Sequence, residues 1–352
     1  MRRVCLLLII AAFFFIPFRA FAQYNTENSS DKSIQLSSNA SKVLRGESDL
    51  SFDLTGNGIV DENDAQAVLL CAVELIDDID SFSSSLKNSL LGEKYLDQFS
   101  YKGPIKEGNN YISDKIRITV EEHSDVIDRA PVVYYTADIL IKDINCFRTA
   151  FAYSYDKKNS KHVDDMAKEN HALIAISGDF FSARKLGLVI RNGVVYRDSF
   201  STKRDCCVLY KDGTMETFLA KQGDFSYVLG KDPYQAWCFG PSLLDEEGNT
   251  KKRFNTSVAD KNPRCAIGYY EPGHYCFVVV DGRKKGHSFG IDMKHLSALF
   301  YDLGCSLAYN LDGGATAVMA NSRKTINHQS STHRGCSDII YITYQIQSET
   351  NP

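Results

Sequence analysis

The sequence predicts an α+β protein: a large domain built on a mixed, largely antiparallel sheet with a few helices, preceded by a small helical calcium-loop module. Three observations predict it. β-rich runs are joined by turn residues of hairpin type at Asn192-Gly193, Asp212-Gly213 and Glu271–Gly273. Two or three segments carry helical composition. Strands and helices do not alternate, and no G-x-G-x-x-G opens a helix, which excludes a dinucleotide-binding doubly wound fold.

Residues 1–22 read as a secretory signal peptide. Met1-Arg2-Arg3 is a basic start, Val4 to Phe18 is almost wholly apolar, and Ala20-Phe21-Ala22 is a small-x-small cleavage site. The run is shorter than the roughly 20 residues of a membrane span and is interrupted by Pro17 and Arg19; an uncleaved anchor is the alternative. The expected product is secreted, extracellular or attached at the cell surface, with no membrane span after cleavage. Its charge would move from −4 to −7, since Arg2, Arg3 and Arg19 leave with the peptide. That balance argues against a nucleic-acid partner, which calls for a basic face. Nine cysteines would remain, with no C-x-x-C spacing for a metal. Several, Cys238 among them, sit in apolar contexts suited to a reduced thiol, and a disulfide framework fits the sequence equally well. Adjacent Cys206 and Cys207 would face opposite sides of a strand and so are poor partners for each other.

Residues 23–46 are rich in Ser, Asn and Asp and read as a linker. Residues 47–80 form the expected calcium module. Asp53, Thr55, Asn57, Ile59 (through its carbonyl), Asp61 and Asp64 occupy ligand positions 1, 3, 5, 7, 9 and 12 of a calcium loop, with Gly58 at the sharp turn. A helix with an apolar stripe follows; an Asp/Asn-rich loop capping that helix is the plain alternative. Residues 81–110 read as a helical, polar connector, and 111–347 as the large domain. In it "KIRITVEEHS" and "VVYYTADILIKD" have strand composition, "DDMAKENHALIAISGDFFS" is a helix running into a buried strand, "DMKHLSALFYDLG" is helical, and "SDIIYITYQI" is a last strand.

"LIAISGDFFS", "GLVIRNGVVY", "FGPSLLDEEG", "RCAIGY", "VVVDGR", "LDGGATAVM" and a final Arg334 follow in an order that resembles the phosphodiester glycosidase family, over about 111–347. The segment 53–76 resembles one dockerin repeat, although dockerins carry two. The first resemblance implies hydrolysis of the sugar C1–O bond of a sugar-1-phosphodiester, for example a GlcNAc-1-phosphodiester-like glycan or envelope polymer. The second implies a structural Ca2+ and, more weakly, a cohesin-type partner. Ser177 and Asp179 replace the Asn and Gly of many members, and Ala315-Thr316 replaces Gly-Ser.

The same residues suit that chemistry on their own terms. The leaving group is a weakly basic phosphate ester, so protonating it matters less than in ordinary glycoside cleavage. What remains is to hold the phosphate's charge and to supply a carboxylate. Arg264, Arg283 and Arg334 are the phosphate candidates, because guanidinium offers parallel donors; a structural ion pair is the alternative for each. Gly313 and Gly314 let their amides approach an anion closely. Thr316 belongs to the same binding set. Asn310 and His295 could orient the sugar, or satisfy buried backbone and lie on the surface respectively. Asp312, Asp179 and Asp281 are the catalytic carboxylates, Asp312 first as nucleophile or base; each ends an apolar run, and an Asx turn is the alternative for each. Two other functions compete: glycan binding without turnover, and metal-dependent P–O cleavage, for which the sequence offers no His-rich ligand set.

Overall fold

Alternate residues of "HYCFVVV" must face opposite ways, and both sets are apolar, so this strand has to be covered on both sides. The computed structural model describes Val60, Asp64 and residues 89–199, 204–219, 225–328 and 334–344. The chain divides into two compact units, Met1–Lys87 and Asn88–Pro352, and all the elements named below belong to the second. Of the calcium-loop ligands Asp64 is described, and it is buried. Asp53, Thr55, Asn57, Ile59 and Asp61, the signal peptide and the 23–46 linker lie outside the described residues.

Sixteen strands form three sheets among the described residues, and every strand pairing is antiparallel. A seven-stranded sheet runs β1 (Ile105–Glu107), β2 (Asn110–Ile112), β3 (Ile116–Ile127), β4 (Ala130–Ile141), β13 (His274–Val280), β12 (Arg264–Glu271), β14 (Leu307–Asn310). A five-stranded sheet runs β10 (Met215–Leu219), β9 (Asp205–Tyr210), β11 (Pro233–Trp237), β7 (Gly187–Arg191), β8 (Val194–Ser199). A four-stranded sheet runs β15 (Met319–Ala320), β6 (Ile174–Ser177), β16 (Asp338–Ile342), β5 (Phe147–Phe151).

The expected hairpins are present at β7–β8, β9–β10 and β12–β13. At the first, Asn192 and Gly193 both take positive φ, 52° and 84°, the backbone twist that a two-residue hairpin demands.

Packing follows the alternation. Tyr275, Phe277 and Val279 of β13 join the main core, which also takes residues from the five- and four-stranded sheets. Cys276, Val278 and Val280 face the other way, toward Leu296 and Phe300 of a helix, Met293–Asp302 (α3). Asp292 caps that helix, accepting from the Lys294 and His295 amides. A shorter helix, Val163–Glu169 (α1), packs on the outside of the four-stranded sheet. Another, Ser226–Leu229 (α2), packs through Val228 on the five-stranded one.

One expectation is corrected. Of the helical connector over 81–110, the described residues 89–110 hold one short 3-10 helix, Glu93–Gln98, and then enter the sheet at Ile105. Its apolar residues decide this, since Leu91 and Phe99 pack against Leu140. Of the two cysteine states the sequence left open, Cys238 takes the oxidised one and is joined to Cys206 in a disulfide. The pleat does separate Cys206 from Cys207: the second faces the main core, where it stays reduced and buried. No helix among the described residues is long and apolar enough to cross a membrane.

Candidate active site

Strands β13 and β14 both pair antiparallel with β12, so they run parallel to each other and end on the same side of the sheet. Asp281 follows β13 and Asp312 follows β14, placing their backbones two strand spacings apart, roughly 10 Å. The tip of β6, from another sheet, meets the second of them. The Asp312 amide donates to the Gly178 carbonyl at 3.0 Å, and the Ser177 hydroxyl donates to the Asp312 carbonyl at 2.5 Å. Asp179, Asp281 and Asp312 thus stand at converging strand ends. Asp179 and Asp312 share one junction, and Asp281 lies beside it.

Asp312 is buried, and burial raises its carboxyl pKa despite the opposing pull of Arg334, Thr316 and Arg184. Arg334 Nη2 lies 3.2 Å from Oδ2 and 3.4 Å from Oδ1, and its guanidinium rests over the Phe180 ring at 4.9 Å. Arg184 donates to the Cys238 carbonyl at 2.7 Å and lies over the Phe239 ring. Burial lowers its pKa, while Asp179 and Asp312 raise it. Two partly exposed guanidinium groups therefore bear on a single buried carboxyl.

Asp179 is held differently. Its Oδ1 accepts from Arg191 at 2.8 Å and its Oδ2 from the Cys238 amide at 3.0 Å. Arg191 also reaches Asp338 Oδ2, at 2.9 Å from Nε. The result is a buried carboxylate–guanidinium–carboxylate bridge beneath the junction. Burial pushes the Asp338 carboxyl up to about 7 against the pull of Arg191, with Asp179 and Asp312 adding to the rise. Arg184, Arg191 and Asp338 were not singled out in the sequence. For two of them a signal existed: Arg191 closes the apolar run "GLVIR", and Asp338 opens the apolar run "DIIYI". A charge inside a fully covered strand needs a partner.

The remaining candidates fall into three placements. Thr316 donates to the Gly313 carbonyl at 2.8 Å and lies against Asp312. Arg283, at φ 58°, donates to Asn262 Oδ1 at 2.8 Å. A Cβ on Gly314 would stand 3.3 Å from its Nη2, so Arg283 adjoins the loop that follows Asp312. Arg264 and Asn310 serve the scaffold instead. Arg264 donates to the backbone carbonyls of Ile291, Val258 and Asp260, and burial lowers its pKa to about 10. Asn310 Nδ2 donates to the Gly240 carbonyl at 2.9 Å, as its backbone-satisfying alternative required, while its buried Oδ1 has no partner.

The two glycines are placed differently. The Gly314 amide donates to the Pro263 carbonyl at 2.9 Å rather than standing ready for an anion. Gly313 is needed because a Cβ would come within 2.8 Å of that same carbonyl oxygen. His295 bonds Asp292 of its own helix cap at 2.9 Å, which is its surface alternative.

Asp281 anchors a second cluster. His287 Nε2 lies 2.7 Å from its Oδ2, Asn327 Nδ2 donates to Oδ1 at 2.8 Å, and the His328 amide donates to Oδ2 at 3.2 Å. Residues distant in sequence here supply the His-bearing set that no short motif displays.

Residues 170–343 match the model of the phosphodiester glycosidase family. An uncharacterized SPbeta prophage-derived protein, YomE of Bacillus subtilis (strain 168), is 28% identical over 260 residues, covering 67% of this chain. The chain spans 40% of that relative's length. Among solved structures, the zebrafish N-acetylglucosamine-1-phosphodiester alpha-N-acetylglucosaminidase catalytic domain, auto-inhibited by its pro-peptide, aligns with TM-score 0.55 and 18% identity, over 66% of this chain and 85% of its own. A hypothetical protein from Synechocystis aligns with TM-score 0.50 and 14% identity, over 65% and 62%. These two likenesses establish a shared fold.

Proposed function

We propose that the protein is an exported hydrolase that cleaves the sugar C1–O bond of a sugar-1-phosphodiester, with Asp312 as nucleophile or base. The observation that carries this reading is the Asp312–Arg334 pair at the strand-tip junction: a buried carboxyl beside a half-exposed guanidinium. The family match over 170–343 supports the reaction class, and the printed name of the zebrafish protein supports an N-acetylglucosamine-like sugar.

The geometry divides the work. Arg334 binds a phosphate oxygen and draws off the charge that develops as the C1–O bond breaks. Arg283, beside Gly314, receives the far side of the phosphodiester. Asp312 then faces the electron-deficient sugar carbon or takes a proton from water. Because its pKa is raised, it is a better base than an exposed aspartate. Asp179, whose two oxygens are already occupied, positions the junction rather than reacting. The N-terminal segment exports the chain, and the 53–64 loop carries a structural Ca2+.

Turnover of a sugar-1-phosphodiester panel in oxygen-18 water tests the proposal. Label is expected in the sugar, and Asp312→Asn is expected to lower kcat by about a thousandfold or more while the fold holds. Unchanged turnover in that variant overturns the assignment. Label in the phosphate would select a second reading, P–O cleavage at a metal centre, which the Asp281 cluster favours. Glycan retention with no turnover would select binding alone.

A further inference from the structure

A carboxylate and two imidazoles gathered from separate segments, with other groups fixing their orientation, is the arrangement that holds a transition metal. Asp281 comes from the end of β13, His287 from the turn that follows it, and His328 from a segment beyond β15. One donor atom from each lies within 4.8 Å of the others. His287 Nε2 is 2.7 Å and His328 Nδ1 4.0 Å from Asp281 Oδ2, and the two rings are 4.8 Å apart between centroids. Donors on one zinc ion, each about 2.0–2.1 Å from it, sit roughly 3–3.4 Å apart. The three groups therefore need shifts of about an ångström or less to share an ion.

The geometry points to a divalent-cation site formed by Asp281, His287 and His328, taking a first-row ion of the Zn2+ type and leaving a coordination position open. The donor set suits it: imidazole nitrogen with one carboxylate favours zinc and its neighbours over calcium or magnesium, which prefer oxygen alone. The surroundings suit it as well. Asn327 Nδ2 holds Asp281 Oδ1 at 2.8 Å and so leaves Oδ2 to face the ion, while the Tyr135 hydroxyl, 3.0 Å from His328 Nδ1, gives up that nitrogen when the ion binds. The carboxylate is buried, whereas His287 and His328 are 21% and 56% exposed, so an ion and a fourth ligand can enter from solvent.

Asn327 ties this site to the Asp312 loop, since it also donates to the Ala317 carbonyl at 3.1 Å and accepts from the Met319 amide at 2.8 Å. The metal site does not depend on the hydrolase reading, and binding is measured without substrate.

The test uses the full chain, stripped with EDTA and returned to buffer with saturating Ca2+, which occupies the all-oxygen loop at 53–64 if it binds. Co2+ titration followed by visible absorption, and Zn2+ equilibrium dialysis, are expected to show one equivalent bound. His287→Gln and His328→Gln, both at solvent-accessible positions, are each expected to weaken that binding at least about tenfold while circular dichroism stays unchanged. No Co2+ band and no retained Zn2+ in the unsubstituted chain overturns the proposal. So does binding that survives both substitutions, which would assign the metal to other residues such as the thiols.

Discussion

The Arg334 guanidinium lies 3.2 Å from the Asp312 carboxylate, with 44% of its side chain exposed against 8% for its partner. An exposed ion pair adds little to stability, but this one bears on the charge of the buried carboxyl proposed to react. Arg334 lowers the Asp312 pKa against a burial effect that raises it, so removing the cation lets burial prevail. Arg334→Gln is expected to cost about a hundredfold in kcat/KM on a sugar-1-phosphodiester. The acidic limb of the pH–rate profile should also move to higher pH, because Asp312 must be ionised to act. Arg334→Lys keeps the charge and should restore the limb but not the full rate. A profile that does not move removes Arg334 from the electrostatics of Asp312.

Much of this fold is legible along the chain because both faces of its central strands are covered. "FVVV" and "LAYN" read as strands from composition, and the Asn-Gly and Asp-Gly turns fix the hairpins locally. Which aspartates meet is partly legible too, since a charge at the end of a buried strand must emerge at a sheet edge. What the sequence hides is lateral order. Nothing in "LIAISGD" says that β6 belongs to a different sheet from β14, yet that placement brings Gly178 to Asp312. Arginines read as phosphate ligands divide for the same reason: Arg264 begins the strand between the two tips and is consumed by backbone carbonyls, whereas Arg334 arrives from a loop. Residues as far apart in the chain as His287 and His328 form no motif until the sheet closes.

Asp338 makes the stability of the domain depend on pH. Its carboxyl titrates near 3.8 when unperturbed and is pushed up to about 7 in the folded chain, mainly by burial. Between those values the folded state keeps a proton that the unfolded state releases. The stabilisation from this group is therefore complete below about pH 4, is lost as pH rises toward 7, and levels off above. Asp338→Asn cannot ionise, and Arg191 keeps Asp179 as its anionic partner. Relative to the unsubstituted protein, the variant should gain on the order of a few kcal/mol between pH 5 and pH 8. Urea denaturation at both values checks this; parallel curves would show that Asp338 does not carry the slope.

Gly178 joins the two carboxylates that matter most, and only a glycine fits there. Its amide donates to the Asp338 carbonyl at 2.9 Å, and its carbonyl accepts from the Asp312 amide at 3.0 Å. A Cβ would stand 2.6 Å from Asp338 Cγ and 2.7 Å from Oδ2, closer than real Cβ contacts allow. Asp338 cannot turn away easily, because Oδ2 is held by Arg191. Gly178→Ala should therefore destabilise the domain by about 1–3 kcal/mol and lower turnover by shifting the Asp312 backbone. The clash names its own partner, so the effect must be non-additive. In an Asp338→Ala background the added methyl meets no carboxylate, and most of the stability penalty of Gly178→Ala should vanish. A double-mutant cycle in urea measures that coupling directly. Additive penalties would mean that Gly178 is required for some contact other than Asp338, and would detach the buried bridge from the site above it.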